Sequence, residues 1–416
     1  MTGPRRVLFV THNAPRFAGD AAGSFVLRLA TALQAQGTRV HIVAPGAAGL
    51  PPTTTLEGVA IDRVRYASDA RMTLAYTGTM AETVRGSWGG KVALLQLLAS
   101  MRRHVQRCLD AARQAGDPFE LVHAHWWFPA GLALWRALGP EDPPLLVTMH
   151  GSDVRLATQK PAVHPVMRAV LGQAVVCTAV SSWLASEARA IAPSANITVA
   201  PMPVDTRRFS LEGAAPVRRG VLFVGRLNAQ KGLRDLLEAL ALPALAGTSL
   251  RVLGDGPDRA ALAAHAVALG ISDRVVWVGT VSQDVLASYY ASAQAVAVPS
   301  RGEGLGLVAV EAQLCGTPVI AYADGGLVDA VRPEHGGTLV PVGNVQALAN
   351  GLARVIGSDE TRQQLGQLAR ADMLARFSPE AVASTYQALY RQAGGNVRAS
   401  ALAAPPTAGG ARGPSA

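Results

Sequence analysis

The chain has 416 residues, 49% hydrophobic and 16% charged, with 38 Lys+Arg against 29 Asp+Glu for a net charge of +9. That length suffices for two cored domains. The most apolar stretch, 304–323, is interrupted by Glu311 and by Gly316-Thr-Pro318, which excludes it as a membrane span.

The charge is uneven. Residues 1–212 carry 21 Lys+Arg against 14 Asp+Glu, and residues 213–416 carry 17 against 15. A basic N-terminal half suits an anionic partner, such as a membrane surface, a phosphorylated acceptor or nucleic acid; it suits plain solubility equally well. Nothing in the sequence marks nucleic-acid readout. Cys108, Cys177 and Cys315 lie far apart with no CxxC, the pattern of reduced thiols in a cytosolic protein and a poor one for zinc held by cysteines. Arg5 and Arg6 precede an apolar run, Val7 to Val10, too short for a signal-peptide core.

In chain order, apolar runs alternate with helical patterns. Val7–Thr11, Val40–Ala44, Leu121–Ala124, Leu145–Met149 and Val175–Val180 read as buried parallel strands, with helices at 22–36, 91–115 and 181–191. In 91–115, Val92, Leu95, Leu98, Val105, Cys108 and Ala112 make one broad apolar face. From Arg85 to Arg113 six cations stand against one acid, Asp110. Such a helix suits an anionic lipid surface or an ordinary solvated face. Pro201 to Arg219 holds three prolines and two Arg pairs and reads as a linker between a domain 1–212 and a domain 213–378.

The alternation then restarts. Val221–Val224, Leu250–Leu253, Val275–Val278, Ala295–Val298 and Val319–Tyr322 read as strands, with helices near 232–241, 257–269, 284–292 and 307–315. The predicted fold is α/β, two Rossmann-like domains facing a cleft, with ligands beyond the carboxyl ends of the strands. A last helix follows in a segment 379–395. The Ala/Gly/Pro/Ser-rich tail 396–416 reads as disordered.

Pro299 to Pro318 is the most informative stretch. It sets Glu303 in a Gly-rich loop and Glu311 on an otherwise apolar helix. A buried carboxylate needs partners, and helical side chains lean toward the helix N-terminus, so Glu311 reaches back toward the loop. Gly304-Leu305-Gly306 offers bare amides at a helix start, where anions bind. Two carboxylates for hydroxyls beside a phosphate cradle suit a nucleotide-sugar. Arg226 and Lys231, on the turn after strand 221–224, suit its diphosphate. Lys231 is one of only three lysines. No Asp-x-Asp pair is present to hold a divalent cation, so no metal and no cofactor is expected. No Gly-x-x-x-x-Gly-Lys-Ser/Thr loop is present either, which argues against ATP hydrolysis.

On these residues the chain, from about Val7 to about Tyr390, resembles the retaining glycosyltransferases of the GT-B fold, most closely glycosyltransferase family four. The resemblance implies transfer from a nucleotide-sugar donor to a sugar or lipid-linked acceptor, as in cell-surface polysaccharide or glycolipid synthesis. It implies that Glu311 holds the ribose and Glu303 the transferred sugar. In Thr148-Met-His150-Gly151-Ser-Asp153, His150 would approach the donor sugar, with Asp153 toward the acceptor. His123 and His125, on one face of their strand, are matched with the acceptor side. A metal pair there lacks a carboxylate cluster. Trp126 and Trp127 suit core packing better than sugar stacking. Gly19-Asp20 resembles the N-terminal glycine loop near the diphosphate, with Asp20 in place of a second Gly and free for an acceptor hydroxyl. Gly254 and Val278 would lie on the nucleotide side. Asp329 stands where the family usually has Glu, and its role stays open. Helix 379–395 would pack back on the first domain. Peripheral contact with the inner face of the membrane, through the basic half, is one reading of the charge. A sugar-nucleotide epimerase of the same fold and a non-catalytic sugar- or nucleotide-binding subunit are the rival readings.

Overall fold

The computed structural model describes residues 3–76, 80–210 and 217–403. The first sheet contains β1 (Arg6–Val10), β2 (Arg39–Pro45), β3 (Thr53–Leu56), β4 (Val59–Val64), β5 (Leu121–His125), β6 (Leu145–Met149), β7 (Val176–Ala179) and β8 (Ile197–Val199). Their spatial order is β3-β4-β2-β1-β5-β6-β7-β8. The second contains β9 (Val221–Val224), β10 (Leu250–Leu253), β11 (Val275–Gly279), β12 (Ala295–Val298), β13 (Val319–Tyr322) and β14 (Thr338–Val340), ordered β11-β10-β9-β12-β13-β14. Every pairing is parallel except β3–β4. Helices connect and cover the parallel strands, so the central strands are buried on both faces and are runs of Val, Leu and Phe.

The β3–β4 hairpin escaped the sequence reading. It is an edge strand of three threonines and one leucine, with no apolar run to find. Its signal is the turn: Glu57 and Gly58 both have positive φ, 49° and 79°, the mirror-type turn that suits a two-residue hairpin.

One continuous core runs through the first domain and across to the near side of the second; another lies on the second sheet's far side. Two expectations are corrected. Helix Trp88–Gln114 buries Ala93, Leu97, Met101, Val105, Leu109 and Ala112. Val92 and Leu95, assigned above to its packed face, are 40% and 67% exposed. The packed ridge steps by four residues and closes with a step of three, on the side of the helix turned away from them. The tail expected to be disordered from residue 396 is helical as far as Ala403, in helix Pro379–Ala403; residues 404–416 lie outside the described residues, as does 211–216 of the linker.

That last helix leaves the second domain and lies along helix Ser24–Ala35 of the first. Gln36 donates to Glu380 O at 2.9 Å, and Gln387 donates to Gln36 O at 3.1 Å. Tyr386 and Tyr390 are fully buried against the first sheet. Tyr390 Oη lies 2.8 Å from His123 Nδ1, and His123 Nε2 lies 2.7 Å from Thr148 Oγ1. Thr148 Oγ1 is in turn 2.6 Å from Thr178 Oγ1. A buried ladder of polar groups thus joins β5, β6, β7 and the last helix. Tyr390→Phe keeps the ring and strands one imidazole nitrogen. It should cost ~1–3 kcal/mol of stability, read as a lower urea midpoint at unchanged slope.

Candidate active site

The carboxyl ends of both sheets point into one cleft, and the backbones meet there. A Cβ on Gly151 would lie 3.6 Å from Gly304 Cα, and one on Gly304 would lie 3.5 Å from His150 O. Both are ordinary van der Waals distances, and at Gly151 it is φ, 115°, that calls for glycine. Arg155 donates to Gly302 O at 3.1 Å, and the Ser182 amide donates to Asp329 Oδ2 at 2.5 Å. Asp329, whose role the sequence left open, therefore caps helix Ser182–Ile191 of the opposite domain.

Loop 302–306 is held from below by the turn after β13. Gly302 donates to Asp324 Oδ2 at 2.5 Å, and Gly326 donates to Glu303 O at 2.8 Å. A Cβ on Gly326 would be 2.3 Å from Gly304 O, so only glycine lets the turn support the loop this closely. Gly306 then takes φ 87° as the N-cap of helix Leu307–Leu314, with Leu305 buried beneath.

Several residues singled out separately come together. Lys231 Nζ is 2.5 Å from Glu303 Oε1, both side chains partly buried. Arg226 is exposed on the same turn and has no side-chain partner among the described residues. Gly254 stacks on Gly225, and its amide donates to Gly279 O, beside Val278 at the end of β11. Glu311 is partly buried and accepts from Tyr290 Oη at 2.9 Å. Burial pushes its carboxyl up to about 7, against the Tyr290 hydrogen bond and the nearby charges of Arg28 and Arg208. Tyr290, Arg28 and Arg208 were missed in the sequence, where nothing local ties them to Glu311.

Gly19, Ser24, Arg28, Asp205, Arg208 and Gln283 line a cavity of about 430 Å³ between the domains. His150 sits in an aromatic frame, its ring centroid 4.2 Å from Trp126 and 5.1 Å from Phe25. Its Nε2 is 3.2 Å from His125 Nδ1. Burial first, then the rings of His125 and His12, holds His150 well below the usual imidazole range, so it is neutral. Trp126 and Trp127 are core residues, 6% and 1% exposed.

The four acceptor-side residues are all engaged by the protein itself. His123 is fully buried and spent on Tyr390 and Thr148. His125 is fully buried, stacked on His123 at 4.1 Å and supporting His150 from behind. Asp153 accepts from the amides of His150, Gly151 and Trp127 at 3.0–3.1 Å. It shapes the loop, and burial pushes it up to about 6 against those bonds. Asp20 is paired with Arg16 at 2.6 Å and accepts from the amides of Arg16 and Ala22, bonds that hold it down to about 2 despite burial. In each case backbone or neighbouring side chains hold the group, and Asp20 alone of the four also lines the interdomain cavity.

Two facing Rossmann-like domains with a carboxylate–lysine pair at their meeting point define a nucleotide-sugar transferase of the GT-B type. Comparison with known proteins agrees along the chain. Residues 22–208 match the model of Glycosyltransferase Family 4, and residues 212–372 match Glycosyl transferases group 1. A D-inositol 3-phosphate glycosyltransferase of Jonesia denitrificans is 30% identical, covering 88% of this chain and 93% of its own. A 2-deoxystreptamine glucosyltransferase of Streptomyces kanamyceticus is 31% identical over 80% and 88% of the two chains. The solved sucrose-phosphate synthase of Thermosynechococcus elongatus superposes with a TM-score of 0.71 at 25% identity, covering 93% of this chain and 98% of that one. The chain belongs to the group 1, family 4 glycosyltransferases of the GT-B fold, and it is an enzyme that uses a nucleotide-sugar donor.

Proposed function

We propose that the protein transfers a sugar with retention of anomeric configuration, without a metal ion, from a nucleoside-diphosphate sugar to an acceptor hydroxyl. The observation that carries this reading is the Lys231–Glu303 contact on a loop that meets His150 and Gly151 across the cleft. It puts a cation for the leaving diphosphate beside a carboxylate for sugar hydroxyls. Arg226 and Lys231 neutralise the charge that grows on the diphosphate, the task a divalent cation performs in other transferases. The departing phosphate then helps deprotonate the acceptor on the same face of the sugar. Neutral His150, held by Trp126, Phe25 and His125, offers a hydrogen bond to the donor sugar.

The acceptor belongs at a surface in this reading. Trp88, Val92 and Leu95 are 78%, 40% and 67% exposed. They recur at i, i+4 and i+7, one stripe of helix Trp88–Gln114. Lys91 and, farther along, Arg102, Arg103 and Arg107 are exposed on the same helix. This favours peripheral contact with an anionic membrane, and with it a lipid-linked acceptor in glycolipid or polysaccharide synthesis. None of the helices among the described residues is long and apolar enough to cross a membrane. A second reading rests on the relatives. Two of them are named for acceptors that are cyclitols, an inositol phosphate and a deoxystreptamine, so a soluble cyclitol is the alternative acceptor class.

Incubation with a panel of nucleotide-sugars, with and without anionic vesicles carrying lipid-linked acceptor, should release nucleoside diphosphate from one donor. The release should persist in excess EDTA. A loss in EDTA that Mg²⁺ reverses would refute metal independence. Arg226→Ala or Lys231→Ala should lower turnover ~10²-fold or more with the fold intact; near-normal rates in both would remove the diphosphate assignment.

The two glutamates separate by ligand. Glu311→Gln keeps the shape and the Tyr290 contact but loses the charge-assisted bonds to ribose. It should weaken both free nucleoside diphosphate and donor. Glu303→Gln should spare the free nucleotide and damage donor use. Calorimetry with nucleoside diphosphate reads the difference, and the opposite pattern would mean that the roles are reversed.

A further inference from the structure

Away from the cleft, on the outer half of the first sheet, two imidazoles and a thiol converge on one oxygen. Asp62 Oδ2 is 3.0 Å from His41 Nε2, 2.9 Å from His104 Nε2 and 3.7 Å from Cys108 Sγ. His41 and Asp62 stand on neighbouring parallel strands, β2 and β4, with Asp62 opposite Val43 and thus two positions along on the same face. His104 and Cys108 are one turn apart on helix Trp88–Gln114, so they share a face of it too. The nitrogen, oxygen and sulfur of His41, Asp62 and Cys108 all lie within 4.8 Å of one another. The approach of His41 to Asp62 is off the hydrogen-bond direction, and its buried Nε2 has no hydrogen-bond partner.

We propose that this cluster is a structural site for Zn²⁺ or another borderline divalent metal, with His41, Asp62 and Cys108 as ligands, solvent as the fourth, and His104 as a hydrogen-bonding neighbour of Asp62. A metal with arms of ~2.0–2.1 Å to N and O and ~2.3 Å to S has tetrahedral edges of ~3.3–3.5 Å. The contacts to Asp62 differ from those edges by a few tenths of an ångström. Mixed N, O and S donors with no open polar cage suit zinc rather than magnesium or calcium. The remaining carboxylate oxygen, Asp62 Oδ1, accepts from Thr53 Oγ1 at 3.0 Å, the kind of outer contact that orients a ligand. The open groove lined by Asp62, His104 and Arg107 gives the ion a path in. The absence of cysteine pairs in the sequence bears on sites built from several cysteines and leaves this one untouched. The bound ion would clip the long basic helix to β2 and β4, and it takes no part in the transfer chemistry proposed above.

The test uses the full chain, purified without a polyhistidine tag and freed of metal by prolonged dialysis against a chelator. Titration with Co²⁺ should give one equivalent per chain, with ligand-field bands of tetrahedral strength and a thiolate-to-cobalt band in the near ultraviolet. Elemental analysis after Zn²⁺ reloading should find one zinc per chain, and the reloaded protein should melt at a higher temperature. Cys108→Ser should abolish the thiolate band, and Thr53→Ala should weaken affinity ~10-fold. Donor turnover by Cys108→Ser, below its melting temperature, should match that of the parent, which separates this site from the cleft. An unchanged cobalt spectrum in Cys108→Ser, or no stoichiometric binding by the wild-type chain, would overturn the proposal. Because the wild-type titration stands by itself, a variant that fails to fold does not rescue it.

Discussion

Everything in the cleft depends on two backbones being allowed to touch. Gly151 and Gly304 meet with no side chain between them, and that contact brings the Glu303 loop up against the His150 loop. A Cβ would meet the other loop at 3.5–3.6 Å, ordinary contact, so anything much longer would crowd the gap between Glu303 and His150. The glycines are expensive in the unfolded state, where they are the freest residues. Gly151 also takes φ 115°, a backbone conformation that favours glycine. The turn at Asp324–Gly326 obeys a steric demand for closeness one layer deeper, supporting the loop by amide-to-oxygen bonds and by the absence of Cβ atoms.

Charge in the cleft is arranged in pairs with unequal exposure. Lys231 and Glu303 satisfy each other at the surface of the loop, while Glu311 lies deeper, with a neutral tyrosine as its direct partner and two arginines acting from across the gap. Glu311 is therefore the group most sensitive to what fills the cleft. A ligand hydroxyl competes with a proton there, near neutral pH, whereas Glu303 competes only with Lys231.

The fold was legible because its strands are buried on both faces and so announce themselves as apolar runs; β9, β10, β12 and β13 begin and end where those runs do. What escaped had other physics. β3 is polar, because an edge strand faces water, and only its Glu57-Gly58 turn betrays it. The phase of helix Trp88–Gln114 was misjudged because apolar residues surround much of its first half, and composition alone does not say which of them find a partner. At the site, the demand that Glu311 have a partner was readable, but Tyr290 was not, since the pair forms only when two helices pack. Asp20 and Asp153 illustrate the converse. A carboxylate beside glycines looks available to a ligand until the amides freed by those glycines have claimed it.

The chain passes between the domains twice, once after β8 and once before the last helix, and the two passages run side by side. Val204, in the first, donates to Phe377 O, at the end of the second, at 2.9 Å. Two adjacent tethers define an axle. Sliding or twisting of one domain over the other would tear that bond, whereas rotation about the line through it leaves the bond intact. The Ser182–Asp329 and Arg155–Gly302 hydrogen bonds tie the domains together a second time, at the cleft. The register of Gly304 against Gly151 is thus fixed from two separate places in the chain.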